Sequence, residues 1–197
     1  MNNVFINTKK GILILALLAT VSGFANDGNM LSKRDSKKVA LVLEHVKEGN
    51  LLYIKDSYDL VLYKETIEDN GLYKKGFNLT ELPDGHYFFE LEKYLEVNKI
   101  PFSVESNNVI FKKEDEATYF KPYIKQKGNL VLVTKLAPML DKTLIEIFAI
   151  YDNEVKLRYS EKIENEKVIE KAFKLEKGNY KIVINSNNKE YTTFINN

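Results

Sequence analysis

The sequence predicts an all-β protein made of two tandem antiparallel β-sandwiches. Two observations lead to this prediction. From residue 39 onward the chain consists of short segments rich in β-branched and aromatic residues, separated by turn signals about every 8 to 12 residues. A long stretch of the first half also recurs in the second half. Sustained helical periodicity is weak, so we expect strands in both halves.

The repeat aligns residues 54–79 with residues 150–175 without a gap. Identical residues stand in both copies at Ile54/Ile150, Asp56/Asp152, Tyr63/Tyr159, Glu65/Glu161, Ile67/Ile163, Glu68/Glu164, Lys75/Lys171, Phe77/Phe173 and Leu79/Leu175. After a three-residue gap, Gly85 and Tyr87 correspond to Gly178 and Tyr180. A period of roughly 90 residues is too long for a solenoid unit and fits two copies of a small domain.

Each copy is predicted to contain about seven strands. In the first copy we place them at residues 39–44, 50–55, 59–66, 72–79, 87–91, 102–106 and 109–112. In the second copy we place them at residues 119–125, 130–135, 143–151, 155–163, 167–175, 180–186 and 190–195. Tyr87, Phe89 and Leu91 share one strand face, and the second copy alternates in the same way from Tyr180. Residues 91–98 have a weak helical pattern, but the pairing with the second copy favours a loop.

Turn residues separate these strands, because Gly and Asn tolerate a positive φ and Pro fixes φ in a turn. We predict turns at Asp69-Asn70-Gly71, Pro83-Asp84-Gly85, Lys127-Gly128-Asn129, Lys177-Gly178-Asn179 and Asn187-Asn188.

Residues 1–25 have the parts of a secretory signal peptide. Lys9 and Lys10 precede an apolar run, and Gly23 and Ala25 occupy the cleavage positions. A retained membrane anchor is the alternative, although the apolar run is short for a span. We expect a flexible lead-in at 26–38, a first sandwich at 39–112, a linker at 113–116 and a second sandwich at 117–197.

The composition argues against some classes of binding partner and of catalytic residue. Lys and Arg number 29 against 28 Asp and Glu, for a net charge of +1, which argues against binding nucleic acid through an excess of basic residues. The chain has no Cys, so burial alone must stabilise the domains. This favours a bacterial cell-envelope protein over an animal extracellular module, and it excludes thiol nucleophiles.

Residues 77–91, which read FNLTELPDGHYFFEL, resemble the signature of the C-terminal sorting domains of type IX secretion. In those domains a polar L-x-x-L-P-x-G-x-Y turn joins two strands of an immunoglobulin-like sandwich. Residues 173–180 are similar with a shorter loop, and residues 147–155 resemble an I-x-I-Y-D-x-x-G hairpin with Val155 in place of Gly. The resemblance implies immunoglobulin-like sandwiches in a cell-envelope setting. It implies sorting less directly, because residues 191–197 lack the basic tail of such signals.

The candidate chemical groups do not form a catalytic pattern. His45 and His86 are expected at a strand end and in a turn, and not buried beside Ser and Asp as a hydrolase triad requires. Glu65 and Glu68, which recur as Glu161 and Glu164, are expected to face outward. We therefore predict a protein that is not an enzyme, with no catalytic residue, cofactor-binding residue or metal site. An unrecognised hydrolase is the remaining enzymatic alternative.

Two further groups of side chains are candidates for binding a metal ion or a partner. Asp56, Asp59 and the turns at 68–70 and 152–154 carry oxygen ligands, but their spacing is not that of a calcium loop. Some of the tyrosines outside the repeated core could form an exposed platform for glycan or protein, while scattered half-buried tyrosine is the alternative. The tyrosines concerned are Tyr53, Tyr58, Tyr73, Tyr119 and Tyr123.

The sequence thus predicts a non-enzymatic exported protein, a cell-envelope or secreted module for binding or adhesion. Its partner would be a protein or glycan at the cell envelope, with no nucleic acid and no small-molecule cofactor. Its location would be the periplasm, or the outer surface or medium. A type IX sorting or anchoring module is the alternative function, and the residues that bind the partner stay unknown at this level.

Overall fold

The structure is a computed structural model that describes residues 39–152 and 154–197. The predicted signal peptide at 1–25 and lead-in at 26–38 lie outside the described residues. The described chain contains fifteen β-strands, two short 3-10 turns and no α-helix, which confirms the all-β prediction. Within these ranges no helix is long and apolar enough to cross a membrane.

We divide the described chain into an N-terminal half, residues 39–120, and a C-terminal half, residues 121–197. The N-terminal half contains β1 (Val39–Val46), β2 (Leu51–Asp56), β3 (Val61–Thr66), β4 (Gly71–Phe77), β5 (Gly85–Glu92), β6 (Glu96–Glu105), β7 (Asn108–Phe111) and β8 (Ala117–Phe120). The C-terminal half contains β9 (Tyr123–Lys127), β10 (Leu130–Leu136), β11 (Thr143–Tyr151), β12 (Glu154–Ile163), β13 (Val168–Lys174), β14 (Asn179–Ser186) and β15 (Lys189–Asn196). The 3-10 turns are Leu79–Glu81 and Lys113–Asp115.

The strands that carry the repeat pair in the same way in both halves. In the N-terminal half β1 pairs with β4, and a second sheet has the order β3-β2-β5-β6-β7 with β8 also on β6. In the C-terminal half β10 pairs with β13 and β9, and the second sheet has the order β12-β11-β14-β15. All pairs are antiparallel. The repeated sequence therefore lies on strands with equivalent neighbours, β2 to β5 in one half and β11 to β14 in the other.

Each half has its own hydrophobic core between its two sheets. In the N-terminal half Leu41 of β1 and Phe89 of β5 belong to one buried cluster, and the Phe89 ring centroid lies 5.3 Å from that of Phe102. The C-terminal cluster is mostly aliphatic and includes Val133 of β10 and Ile182 of β14. The predicted inward residues of β5 and β14 are buried, and the packing is sandwich-like. Glu90 of β5 and Val183 of β14, on the opposite strand faces, are buried as well.

β6 differs from the prediction because it runs through Pro101. The sequence predicted a loop at 91–98 and a strand only from 102, whereas β6 begins at Glu96. The Pro101 carbonyl accepts a hydrogen bond from the Lys112 amide, 3.1 Å away and on the side opposite β5. The backbone N and O atoms of a strand residue point to the same side of the strand. The Pro101 nitrogen, which has no hydrogen to donate, therefore faces the gap between β7 and β8. The hydrogen bonds between β6 and β5 are not affected.

The predicted strand at 119–125 is in fact two strands that belong to different sheets. β8 pairs with β6 of the N-terminal half, and β9 pairs with β10 of the C-terminal half. Pro122 lies between them and cannot donate to a ladder. The predicted linker at 113–116 contains a 3-10 turn, and the chain stays on the N-terminal sheet until Phe120.

The turns largely follow the sequence. Gly71 and Gly128 have φ values of 108° and 59°, which residues with a Cβ atom rarely adopt. Asn187 and Asn188 have φ values of 53° and 58° and form the hairpin tip between β14 and β15. Gly85 is the exception, because it begins β5 without a positive φ.

Candidate binding surface

The repeated residues of β3 and β4 form a polar cluster at one edge of the N-terminal half. The Tyr63 hydroxyl and the Lys75 ammonium both donate to the Glu65 carboxylate, and Lys75 Nζ lies 2.7 Å from Tyr63 Oη. The ring of Tyr63 packs edge-on against Phe77 at 5.4 Å. Burial raises the pKa of Glu65, but the hydrogen bonds from Lys75 and Tyr63 outweigh it and the pKa is lowered. Glu65 is therefore held as a carboxylate that accepts hydrogen bonds.

The C-terminal half repeats this cluster on β12 and β13. Tyr159 donates to Glu161, and Lys171 Nζ lies 2.8 Å from Glu161 Oε1. Both glutamates are half-buried, so the expectation that Glu65 and Glu161 face outward is wrong. In each half the cluster joins the edge strands of two sheets, and its carboxylate is already occupied by internal donors. In both halves the cluster thus links two sheets through hydrogen bonds to a half-buried carboxylate.

A buried carboxylate marks the contact between the two halves. The side chain of Glu90 on β5 is fully buried, with Lys55 Nζ at 2.8 Å and Lys189 Nζ at 2.7 Å from Oε1. Lys99 Nζ lies 3.7 Å from Oε2. Burial raises the pKa of Glu90, but the hydrogen bonds from Lys189 and Lys55 outweigh this effect and lower it. Lys189 also lies 3.4 Å from Glu92, so β15 is bound electrostatically to β5.

A second buried polar cluster lies wholly in the C-terminal half. Lys135 donates to Asp141, which also accepts hydrogen bonds of 3.0 Å from Ser186 Oγ and from Asn187 Nδ2. An open cavity of about 580 Å³ adjoins Asp141 and Ser186. Burial raises the pKa of Asp141, but its hydrogen bonds, above all from Lys135, lower it. The Ser186 hydroxyl is therefore one of three side-chain donors to a carboxylate that also pairs with Lys135.

Among the described residues, no strand pairs with the outer edge of β15. Gly178 and Asn197 exchange two backbone hydrogen bonds of 2.9 Å, so they form a hydrogen-bonded pair of the β14–β15 ladder. Because such pairs alternate, the amide and carbonyl groups of Glu190, Thr192 and Phe194 point away from β14. Asn196 is the next residue of this set, and its carbonyl accepts a 3.1 Å hydrogen bond from Gln126 Nε2 of β9.

A groove with tyrosine walls lies beside this edge. A cavity of about 450 Å³ is lined by Tyr94, Leu95, Tyr123 and Tyr191, among others, and by the first residues of β15. Tyr94 is 81% exposed, Leu95 49% and Tyr123 47%. A neighbouring cavity of about 230 Å³ shares Leu95 and Tyr123. The groove therefore combines exposed apolar area, tyrosine hydroxyls and unpaired strand groups, which suit a protein ligand.

The equivalent edge in the N-terminal half is covered. Tyr87 opposes Phe102 across β5 and β6, and Tyr180 opposes Ile195 across β14 and β15. This register places β6 residues 96–99 at the position of β15 residues 189–192. β8 pairs with residues 96–99 of β6. The two halves therefore differ at this edge, which is closed on β6 and open on β15.

The structure separates most of the residues that the sequence had singled out. His45 lies at a bulge of β1 with φ 56°, and His86 lies on β5; both are exposed. Asp56 Oδ1 accepts hydrogen bonds of 2.9 Å from the amides of Tyr58 and Leu60, so it shapes the β2–β3 turn. In the described ranges no group of three or more His, Asp or Glu side chains is placed to hold a metal ion.

The tyrosines do not form one platform. Tyr73 packs against the N-terminal core, and Tyr58 is 89% exposed in the β2–β3 turn. Tyr53 lies near Lys55 on the outer face of β2, with the ammonium 5.0 Å from the ring centroid. Of the five tyrosines, Tyr123 lines the groove beside β15. Tyr94 was not singled out from the sequence, although its place between two predicted strands indicated an exposed loop tip.

No protein-family model matches the chain, and no curated protein matches it either. The likeness to type IX sorting domains therefore rests on the turn and hairpin residues quoted above.

Proposed function

We propose that this chain is a non-enzymatic exported protein of the cell envelope and that it binds a protein partner at the groove beside β15. The observation that carries the proposal is the combination of an unpaired strand edge with exposed Tyr94 and Tyr123. Exposed apolar surface next to unpaired backbone groups is typical of sites of protein association. Export is supported by the sequence of residues 1–25.

The proposal includes a finer description of the fold. Each half would be an immunoglobulin-like sandwich, and the two would stand in tandem. The equivalent pairing of strands and the separate cores support this description. In such a scaffold the core positions recur while edges and loops diverge, and binding is carried by the parts that diverge.

Cell fractionation tests the location, and affinity capture tests the binding. We expect the protein in the periplasm, outer membrane or medium. Purified protein from residue 26 onward should capture one dominant polypeptide from envelope extract. Tyr94→Ala together with Tyr123→Ala should abolish the capture, whereas Tyr58→Ala, a change at a similarly exposed tyrosine, should preserve it. Retention in the cytoplasm, or capture that is indifferent to the groove variant, would contradict the proposal; release of the partner by free glycan would indicate a glycan ligand.

A type IX sorting or anchoring module is the second candidate, favoured by the turn before β5. The Tyr87 hydroxyl donates a 2.8 Å hydrogen bond to the Pro83 carbonyl, and the Asp84 carboxylate accepts the Ser106 amide at 3.0 Å and 3.1 Å. These bonds give the Leu-Pro-Asp-Gly-His-Tyr stretch a fixed local shape. A periplasmic reporter fused to residues 117–197 should reach the cell surface or medium in a host with type IX secretion, and a reporter that stays in the periplasm rules the role out.

A further inference from the structure

We propose that β15 accepts an extended polypeptide segment as an additional antiparallel strand. In this segment a basic residue would lie opposite Glu190, and aromatic or β-branched residues on either side would enter the groove. The inference rests on the proposed binding function, and it specifies the chemical class of the partner and its mode of binding.

The first support is the direction of the backbone groups. The amide and carbonyl groups of Glu190, Thr192 and Phe194 point away from β14, as the alternation of the ladder requires. The hydrogen bond from Gln126 to the Asn196 carbonyl confirms this direction, since it reaches β15 from the side opposite β14. An added strand is the ligand that satisfies a row of donors and acceptors at this spacing.

The second support is the occupant of the same edge in the other half. Residues 96–99 of β6, which correspond to residues 189–192 of β15, are paired with β8. There the added strand is an ordinary extended segment of this chain, and Asn98 Nδ2 donates a 2.9 Å hydrogen bond to Thr118 across the two strands. The repeat thus shows that this scaffold takes a strand at this position.

The third support is the lack of charge along the open edge beyond Glu190. From Tyr191 to Asn197 the chain has no charged residue, no Pro and no Gly. The other edge of the same sheet, β12, carries Lys156, Arg158 and Lys162, and charged side chains are a common protection against unwanted pairing. From Tyr191 onward β15 has no such charged side chain, whereas β12 carries them along its length, and this favours strand pairing at β15.

The side chains beside the edge define what the segment should contain. Glu190 is exposed, accepts a 3.0 Å hydrogen bond from Thr192 Oγ1, and makes no ion pair with any described residue. A Lys or Arg directly opposite it across the strands would complement its charge. Tyr191 points to the other face, where the groove begins, so residues next to the basic one would contact Tyr94 and Tyr123.

The test uses the chain from residue 26 onward and a synthetic peptide of about ten residues, in which Val or Tyr alternates with Lys or Thr. Titration followed by amide hydrogen exchange should protect the amides of Glu190, Thr192 and Phe194. The amides of Tyr191 and Thr193, which already bond to β14, should not change. This alternation is a signature of strand addition that general burial of the surface would not produce.

Two variants probe the same contact. Thr192→Pro removes an outward donor and keeps the ladder with β14, so we expect about tenfold weaker peptide binding, the equivalent of one hydrogen bond. Glu190→Lys keeps the backbone intact; it should weaken binding of the Lys peptide and strengthen binding of a matched peptide with Glu in place of Lys. A circular dichroism melt verifies that each variant folds, and Glu190→Lys decides the matter if Thr192→Pro does not fold.

The alternating protection together with the charge swap would support the inference. Peptide binding that both variants leave unchanged, or protection without alternation, would overturn it. Protection of the same amides without peptide, at increasing protein concentration, would assign the edge to a second copy of this chain and would also overturn it. If the Glu190→Lys variant still captures the envelope partner, the result supports the proposed binding function and contradicts strand addition. If the peptide binds as described but no envelope partner is captured, strand addition stands and the proposed function falls.

Discussion

Replacing Lys189 with Met removes the cation that β15 places against the buried Glu90. The ammonium lies 2.7 Å from Glu90 Oε1, and the Glu90 side chain is fully buried. Complete loss of a partner from a buried ion pair costs about 3–5 kcal/mol. Here Lys55 remains at 2.8 Å, and the Lys189 side chain is 22% exposed, so the loss is smaller. A hydrogen bond to a charged group contributes about 1.5–3 kcal/mol, and we expect Lys189→Met to lower the free energy of unfolding by about 2 kcal/mol.

Thermal and urea denaturation, followed by circular dichroism, measure this loss. For a chain of this size about 2 kcal/mol corresponds to a fall of about 4–8 °C in the transition temperature. Lys156→Met is the matched control, because Lys156 lies 2.9 Å from Glu154 but both side chains are exposed. Such a surface pair should contribute little, so the control should unfold at the parental temperature.

A double-mutant cycle of Lys189→Met and Glu90→Gln measures the interaction energy between these two side chains, apart from their other contacts. Because the two side chains touch, their effects should not add, and the double variant should be more stable than the sum of the single losses predicts. If Lys189→Met unfolds together with the Lys156→Met control, or if the two losses simply add, the electrostatic account of the contact between the halves is refuted.

Three further predictions concern stability. The pKa of Glu90 in the folded protein lies below its ordinary value of 4.5. Its ion pairs therefore stabilise the fold above pH 4.5, and this stabilisation is lost as the pH falls through the lower folded pKa. In urea titrations from about pH 7 to about pH 3, Glu90→Gln should reduce this loss of stability at acidic pH. Tyr63→Phe and Tyr159→Phe each remove a hydroxyl donor from the repeated cluster and should each cost about 1 kcal/mol, whereas unequal losses in urea titration would contradict equivalent roles. Phe89→Ala empties a fully buried site and should cost about 3–5 kcal/mol in the same assay, against almost no loss for the 69% exposed Phe194→Ala.

Most strands could be predicted from the sequence because the signals that define a strand are local. Alternation and turn residues placed β11 at residues 143–151, which is where it lies. Local signals failed at β6 and at the break between β8 and β9, where Pro101 and Pro122 have opposite consequences. Pro101 is tolerated because its missing donor faces a gap between two neighbouring strands, and a gap of that kind depends on tertiary pairing.

The site was less accessible to prediction for a related reason. Period two assigns Glu90 to the strand face opposite Phe89, but it does not say what covers that face. Lys189, which is distant in sequence, covers Glu90 in the structure. In the same way the sequence of β15 identifies a strand without stating which of its edges is paired. Tyr123 was singled out as an aromatic residue, yet its place beside Tyr94 and Tyr191 depends on the packing of the two halves.

The comparison of the two halves makes the open edge a stronger candidate than any single cavity. Both halves keep the Tyr–Glu–Lys cluster on β3 and β4 or on β12 and β13, so that edge serves the same structural purpose twice. They differ on the opposite side, where β8 covers β6 and no described strand covers β15. Each half thus has its own core and the same cluster at one edge, but the two halves differ in backbone pairing at the other edge. Since a strand edge binds through main-chain groups, its specificity must come from the side chains next to it, which here are Glu190 and the tyrosines of the groove.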